Sequence, residues 1–77
     1  MTDKLKQVFA DELELALEAL TDESSPDNLE AWDSLANMRL IIAIEEEFGV
    51  RLGTGDLIKM RSIGETRAVL VEKGVEV

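Results

Sequence analysis

The apolar positions of the first twenty residues fall on one side of a helix. Leu5, Phe9, Leu13, Ala16 and Leu20 follow one another at steps of four, four, three and four, the spacing that returns side chains to a single helical face. A helix over residues 2–20 is predicted, with Thr2 or Asp3 as its cap. Residues 21–33, "TDESSPDNLEAWD", break the pattern. They hold the only proline, several cap and turn formers and no basic residue, and read as a long loop anchored by Leu29 and Trp32. Periodicity resumes in a second helix from Ser34 to Phe48, stopped by Gly49 in the position favoured after helix ends. The turn-rich "VRLGTGD" follows, with Thr54 placed to cap a short helix over Asp56–Met60. A last helix starts at Ser62, with Glu65 three residues on as a capping box. It should turn Ile63, Val69, Leu70 and Val71 inward and end at Gly74. The predicted fold class is all-α: a small four-helix bundle with a long loop between helices 1 and 2 and a short third helix, in one domain over residues 1–77.

The second helix carries apolar residues on two sides. Leu40, Ile41, Ile44 and Phe48 form one stripe, suited to the core. Leu35, Met38 and Ile42 form another, centred roughly 145° away at about 100° per residue. A domain of this size cannot bury both beneath three other helices. The second stripe therefore packs under the 21–33 loop or stays exposed as a docking surface. Met38 suits either role, because its flexible thioether adapts to irregular surroundings.

Composition narrows the chemistry. The chain has 77 residues, enough for one core worth a net of about 3–5 kcal/mol and too little for a large buried active site. It has neither cysteine nor histidine, so thiol chemistry and the commonest general base and zinc ligand are missing from the polypeptide. Catalysis by the chain itself is not expected, nor is a metal site. The formal charge is −9, and residues 1–33 hold ten acids against two lysines. Such a surface repels nucleic acid and anionic membranes and attracts partners with basic patches. The charged start lacks an apolar signal core, and the longest apolar run, "LIIAI", is far too short to span a bilayer. A cytoplasmic, monomeric protein without membrane insertion is expected.

Ser34 opens the two-faced helix and sits at the edge of its second stripe. Asp33 and Ser34 suit helix capping. A hydrolase-type nucleophile is excluded, because no histidine base and no glycine-rich elbow accompany the serine. A serine modified by another enzyme has other needs: exposure at a loop–helix junction, a neighbouring acid and an apolar grip. "DSL" followed by Met38 and Ile42 supplies them, and a helix N-terminus favours an attached phosphate.

These residues resemble the acyl carrier protein family. The resemblance rests on Asp33-Ser34-Leu35, then eight residues, then "IEEEFGV" from Ile44 to Val50, in an acidic chain whose helices match over nearly the whole length. It implies that Ser34 is the attachment point for 4′-phosphopantetheine, transferred from coenzyme A by a magnesium-dependent phosphopantetheinyl transferase. The terminal thiol of that group would carry acyl cargo as a thioester, which accounts for a carrier without cysteine. The resemblance further implies that Asp33 helps the transferase engage the serine. Leu35, Met38, Arg39, Ile42, Glu45 and Glu46 would face partner enzymes. Ile41, Ile44 and Phe48 would be core positions that part to admit an acyl chain.

Three departures shape the expectation. Ala36 and Arg39 stand where fatty-acid carriers usually have acids, "GTGD" stands where a proline and acids are common, and Ala31-Trp32 replaces a glycine-bearing approach to the aspartate. Trp32 is then a loop anchor or an added partner contact. A dedicated carrier is favoured over a housekeeping one, working with its own acyl-activating ligase, synthase or acyltransferase in a lipid, fatty-acid or polyketide-type pathway. The competing readings are a peptidyl or aminoacyl carrier, whose glycine pair before the serine is missing, and an unmodified helical adaptor. The acidic loop lacks the central glycine and final glutamate of an EF-hand.

Overall fold

The computed structural model describes residues 3–77. Four helices run α1 Lys4–Leu13, α2 Ser34–Phe48, α3 Thr54–Lys59 and α4 Ile63–Glu72. α1 lies against α2 and α4, and α3 leans on α4. The all-α expectation holds, and among the described residues there is no strand.

The first helix is shorter than its periodicity predicts. Asp3 caps it by accepting the Lys6 N–H at 3.2 Å; Thr2 lies outside the described residues. Glu14 then turns left-handed at φ 56°, and the helix stops at Leu13. A non-glycine residue in that conformation costs roughly 1–2 kcal/mol, and the packing that follows repays it. On a continuous helix Leu15 would lie about 200° from Leu13, facing away from the core. The turn at Glu14, with a 3₁₀ turn over Leu17–Ala19, lets Leu15, Leu17 and Leu20 all reach the core. Ala16, expected on the inner face, is exposed.

The loop over 21–33 is ordered by its own polar side chains. Thr21 N–H donates to the Ser24 hydroxyl at 2.9 Å, Ser25 N–H to the Asn28 carboxamide oxygen at 3.0 Å, and the Asn28 amide to the Glu23 carbonyl at 3.0 Å. This supplies the partners that a segment without regular structure must find. The start of α4 pins the loop from outside. Ile63 N–H donates to the Ser24 carbonyl at 3.1 Å and Gly64 N–H to the Asp22 carbonyl at 2.8 Å. A Cβ at Gly64 would sit 3.0 Å from the Asp22 carbonyl oxygen, so the approach depends on glycine. Arg67 completes the clamp, donating to Asp3 at 3.2 and 2.8 Å and to Asp22 at 2.9 Å. The hydrogen bond from Arg67 is the main cause that holds the Asp3 carboxyl below its ordinary value, with the Lys6 N–H helping and burial opposing.

Leu29 packs on the core and Trp32 is buried within it, so both act as the predicted anchors. The Trp32 ring meets Phe9 edge-on with centroids 4.9 Å apart, an arrangement worth about 0.5–1.5 kcal/mol beyond area burial. α3 is displaced from its predicted position. Thr54 is its first helical residue, not its cap; Gly53 caps it, and the Asp56 carboxylate accepts the Gly53 N–H at 2.9 Å. Lys73 reaches back to Asp56 at 2.8 Å and ties α3 to α4. α4 begins as predicted, with the Ser62 hydroxyl accepting the Glu65 N–H at 3.0 Å. Ile63, Val69 and Leu70 are buried, but Val71 faces solvent, because it lies about 200° around the helix from Val69, on the side away from the core. Gly74, at φ 86°, follows the helix end.

Candidate functional site

The site grows from the capping of α2. Asp33 is extended, its carboxylate accepts the Ala36 N–H at 2.8 Å, and its carbonyl accepts the Asn37 N–H at 2.8 Å. The aspartate thereby fixes where the helix starts, and Ser34 becomes its first residue, exposed to solvent. Among the described residues, the Ser34 hydroxyl and the N–H groups of Ser34 and Leu35 have no hydrogen-bond partner within the protein. Free N–H groups at a helix start, with the helix dipole behind them, favour a negatively charged group. An open hollow of about 330 Å³ adjoins the serine, lined by Pro26, Trp32, Asp33, Ser34 and Asn37. An exposed hydroxyl, unpaired donors and an adjoining hollow together fit a phosphate-linked organic arm.

The two stripes of α2 separate cleanly. Leu35 is 65%, Met38 62% and Ile42 56% exposed, so the 21–33 loop does not cover this face. On the inner side Leu40 and Ile44 are buried with Ala36, and Phe48 and Ala43 pack partly against the core. Ile41 is only half-buried, at the margin of the stripe assigned to it. Ala36 is 1% exposed and Arg39 is exposed, so of these two departures on α2 it is Arg39 that stands on the solvent side.

Arg39 lies 4.0 Å from Glu12, and both side chains remain partly exposed, a pair of little energetic weight. Glu46 is exposed. Glu45 is not a free docking charge, because its carboxylate accepts the Leu52 N–H at 2.9 Å and holds the turn after α2. Trp32 is 3% exposed and its indole N–H donates to Asn37 Oδ1 at 2.9 Å. It is therefore an anchor rather than a partner contact. Asn37 and Pro26 were not anticipated as site residues. Their only cue was proximity to Ser34, since the Trp32–Asn37 bond spans five residues across a loop–helix junction, a spacing that no regular element repeats. Among the described residues, no group of three or more acidic, histidine or cysteine side chains could hold a metal, and no helix is long and apolar enough to cross a membrane.

Comparison with known proteins agrees with this geometry. Residues 3–70 match the phosphopantetheine attachment site family. An acyl carrier protein of Picosynechococcus is 32% identical over 72 residues, covering 92% of this chain and 88% of the relative. One from Thermosynechococcus vestitus is 37% identical over 62 residues, covering 79% and 75%. The solution structure of a holo acyl carrier protein from Geobacter metallireducens superposes with a TM-score of 0.82 at 30% identity, covering 92% of this chain and 82% of that one. The chain belongs to the acyl carrier protein family, whose cofactor is covalently attached phosphopantetheine.

Proposed function

We propose that Ser34 is the attachment residue and that residues 1–77 act as a single carrier domain in the cytoplasm. The observation that carries this reading is the exposed Ser34 hydroxyl at the first position of α2, beside the uncovered Leu35, Met38 and Ile42. In the loading step the Ser34 oxygen bonds to the pantetheine-bearing phosphorus of coenzyme A. The pyrophosphate P–O bond breaks, adenosine 3′,5′-bisphosphate leaves, and the serine proton passes to a base on the transferase. Asp33 holds the helix start through its Oδ1 during this step, and its other carboxylate oxygen would be available to help hold the magnesium that the transferase supplies. Once attached, the group supplies a thiol that holds acyl cargo as a thioester.

The chain is then a cosubstrate. Leu35, Met38 and Ile42 form the apolar grip for enzymes that load or take the cargo, Arg39 selects against partners that present a cation there, and Glu46 meets a basic patch. This pattern suits an acyl-activating ligase, synthase or acyltransferase dedicated to this carrier. The closed packing of Ile44 and Phe48 would have to part if the cargo enters the core.

The test is intact-protein mass spectrometry before and after incubation with coenzyme A, magnesium and a broad-specificity phosphopantetheinyl transferase, alongside Ser34→Ala. One added phosphopantetheine in the wild type and none in the variant is expected. No gain by a folded protein with an active transferase control would return Ser34 to a capping role and make the adaptor reading the leading one.

A further inference from the structure

The geometry points to a resting site for the near end of the prosthetic arm: the hollow between the loop and the start of α2, lined by Pro26, Trp32 and Asn37, with Asn37 as its hydrogen-bond donor. The inference rests on attachment at Ser34 and extends it to residues that the attachment itself does not need.

The hollow, about 330 Å³, lies at the lower end of the range for small-molecule sites. Ser34 is part of its rim, so a group bonded to the serine oxygen starts inside it. Asp33 is also on the rim, and its carboxylate repels a phosphate from that side. The phosphate is thereby directed toward the free N–H groups of Ser34 and Leu35. The next part of the arm is neutral and branched, a carbon bearing two methyl groups followed by a hydroxyl and an amide. Exposed Pro26 offers an apolar surface to the methyl groups, and the nearly buried Trp32 contributes only the rim of its ring.

Asn37 offers the polar partner. Its Oδ1 is occupied by the Trp32 indole N–H at 2.9 Å, which fixes which end of the carboxamide remains available. The amide nitrogen has no protein partner among the described residues, and two donor protons are left for the arm's hydroxyl or carbonyl. Asn37 and Pro26 also line the neighbouring hollow with Asp27, Met60 and Arg61. An arm leaving the first hollow thus meets a second one, on the side of α2 away from Leu35 and Ile42. The arm at rest leaves the docking stripe clear.

The test uses isotope-labelled protein converted with unlabelled coenzyme A, conversion being confirmed by mass. Expected are nuclear Overhauser contacts from the arm's paired methyl groups to Pro26 and Trp32, and a shift of the Asn37 side-chain amide on conversion. The chain has one tryptophan and a second asparagine, Asn28; the Asn28 amide, bonded to the Glu23 carbonyl, should not move. Asn37→Asp keeps an acceptor for the indole but removes the donor. It should still be converted while the methyl contacts weaken several-fold. Full conversion with no such contacts and an unmoved Asn37 amide overturns the resting site while leaving Ser34 as the attachment residue. Failure to convert overturns the attachment reading itself, and the resting site with it.

Discussion

The two apolar faces of α2 are built from the same residue types and do opposite work. Leu40 and Ile44 disappear beneath α1, whereas Leu35 and Ile42, on the same helix, stand in water. Burying a large aliphatic side chain is worth about 1.5–3 kcal/mol, so the inner face accounts for much of why the domain folds. The outer face forgoes that gain. An uncovered aliphatic stripe is retained at no benefit to stability, and its use lies in what it can bury against another molecule.

The sharpest way to break this contrast is Ile44→Ala, expected to cost about 2–4 kcal/mol. That is comparable with the whole net stability of a domain this size, about 3–5 kcal/mol, so urea titration followed by circular dichroism should show a largely unfolded variant. A loss below about 1 kcal/mol would mean that the inner face is not the source of stability.

Next in size is Arg67→Met, which removes the clamp between Asp3, Asp22 and α4. Hydrogen bonds to charged groups, discounted for partial exposure, put the cost at about 1–2 kcal/mol. Amide exchange should accelerate at Ile63 and Gly64, whose N–H groups hold the loop, before it does in α2. The same clamp predicts an acid response. Asp3 has its folded value below its unfolded one, so its contribution is complete above about pH 4 and is lost as pH falls through the folded value. Arg67→Met should flatten that acid limb, and an unchanged limb would remove Asp3 from the account.

The smallest stability effect is expected on the outer face. Met38→Ser and Ile42→Ser should change stability by no more than about 0.5 kcal/mol while slowing transfer of phosphopantetheine to Ser34, read as the rate of mass gain. Destabilisation on the scale of Ile44→Ala would make the stripe structural and erase the comparison.

Local sequence rules carried a long way here. The start of α2 at Asp33-Ser34, its end at Gly49 and the Ser62–Glu65 box depend on groups within four residues of one another, so they are legible along the chain. The loop anchors were legible too, since Leu29 and Trp32 are large apolar residues in a polar stretch. The extent of α1 was not. Its periodicity runs on to Leu20, and the need to bring Leu15 to the core bends the chain at Glu14. Val71 was misplaced for a related reason: a residue at the edge of a stripe is decided by which neighbour covers it.

The sequence by itself determined an acidic all-helical domain without cysteine or histidine, a helix opening at Ser34, and two apolar faces on that helix. These follow from composition and from periodicity, which act through near neighbours. The tertiary structure alone decided that the second of those faces stays uncovered, that Glu45 is bound to the next turn, that Arg67 joins Asp3 across 64 residues of chain, and that Pro26, Trp32 and Asn37 meet around the serine. Each of these depends on surfaces brought together by the closing of the core, and no spacing along the chain encodes that closure.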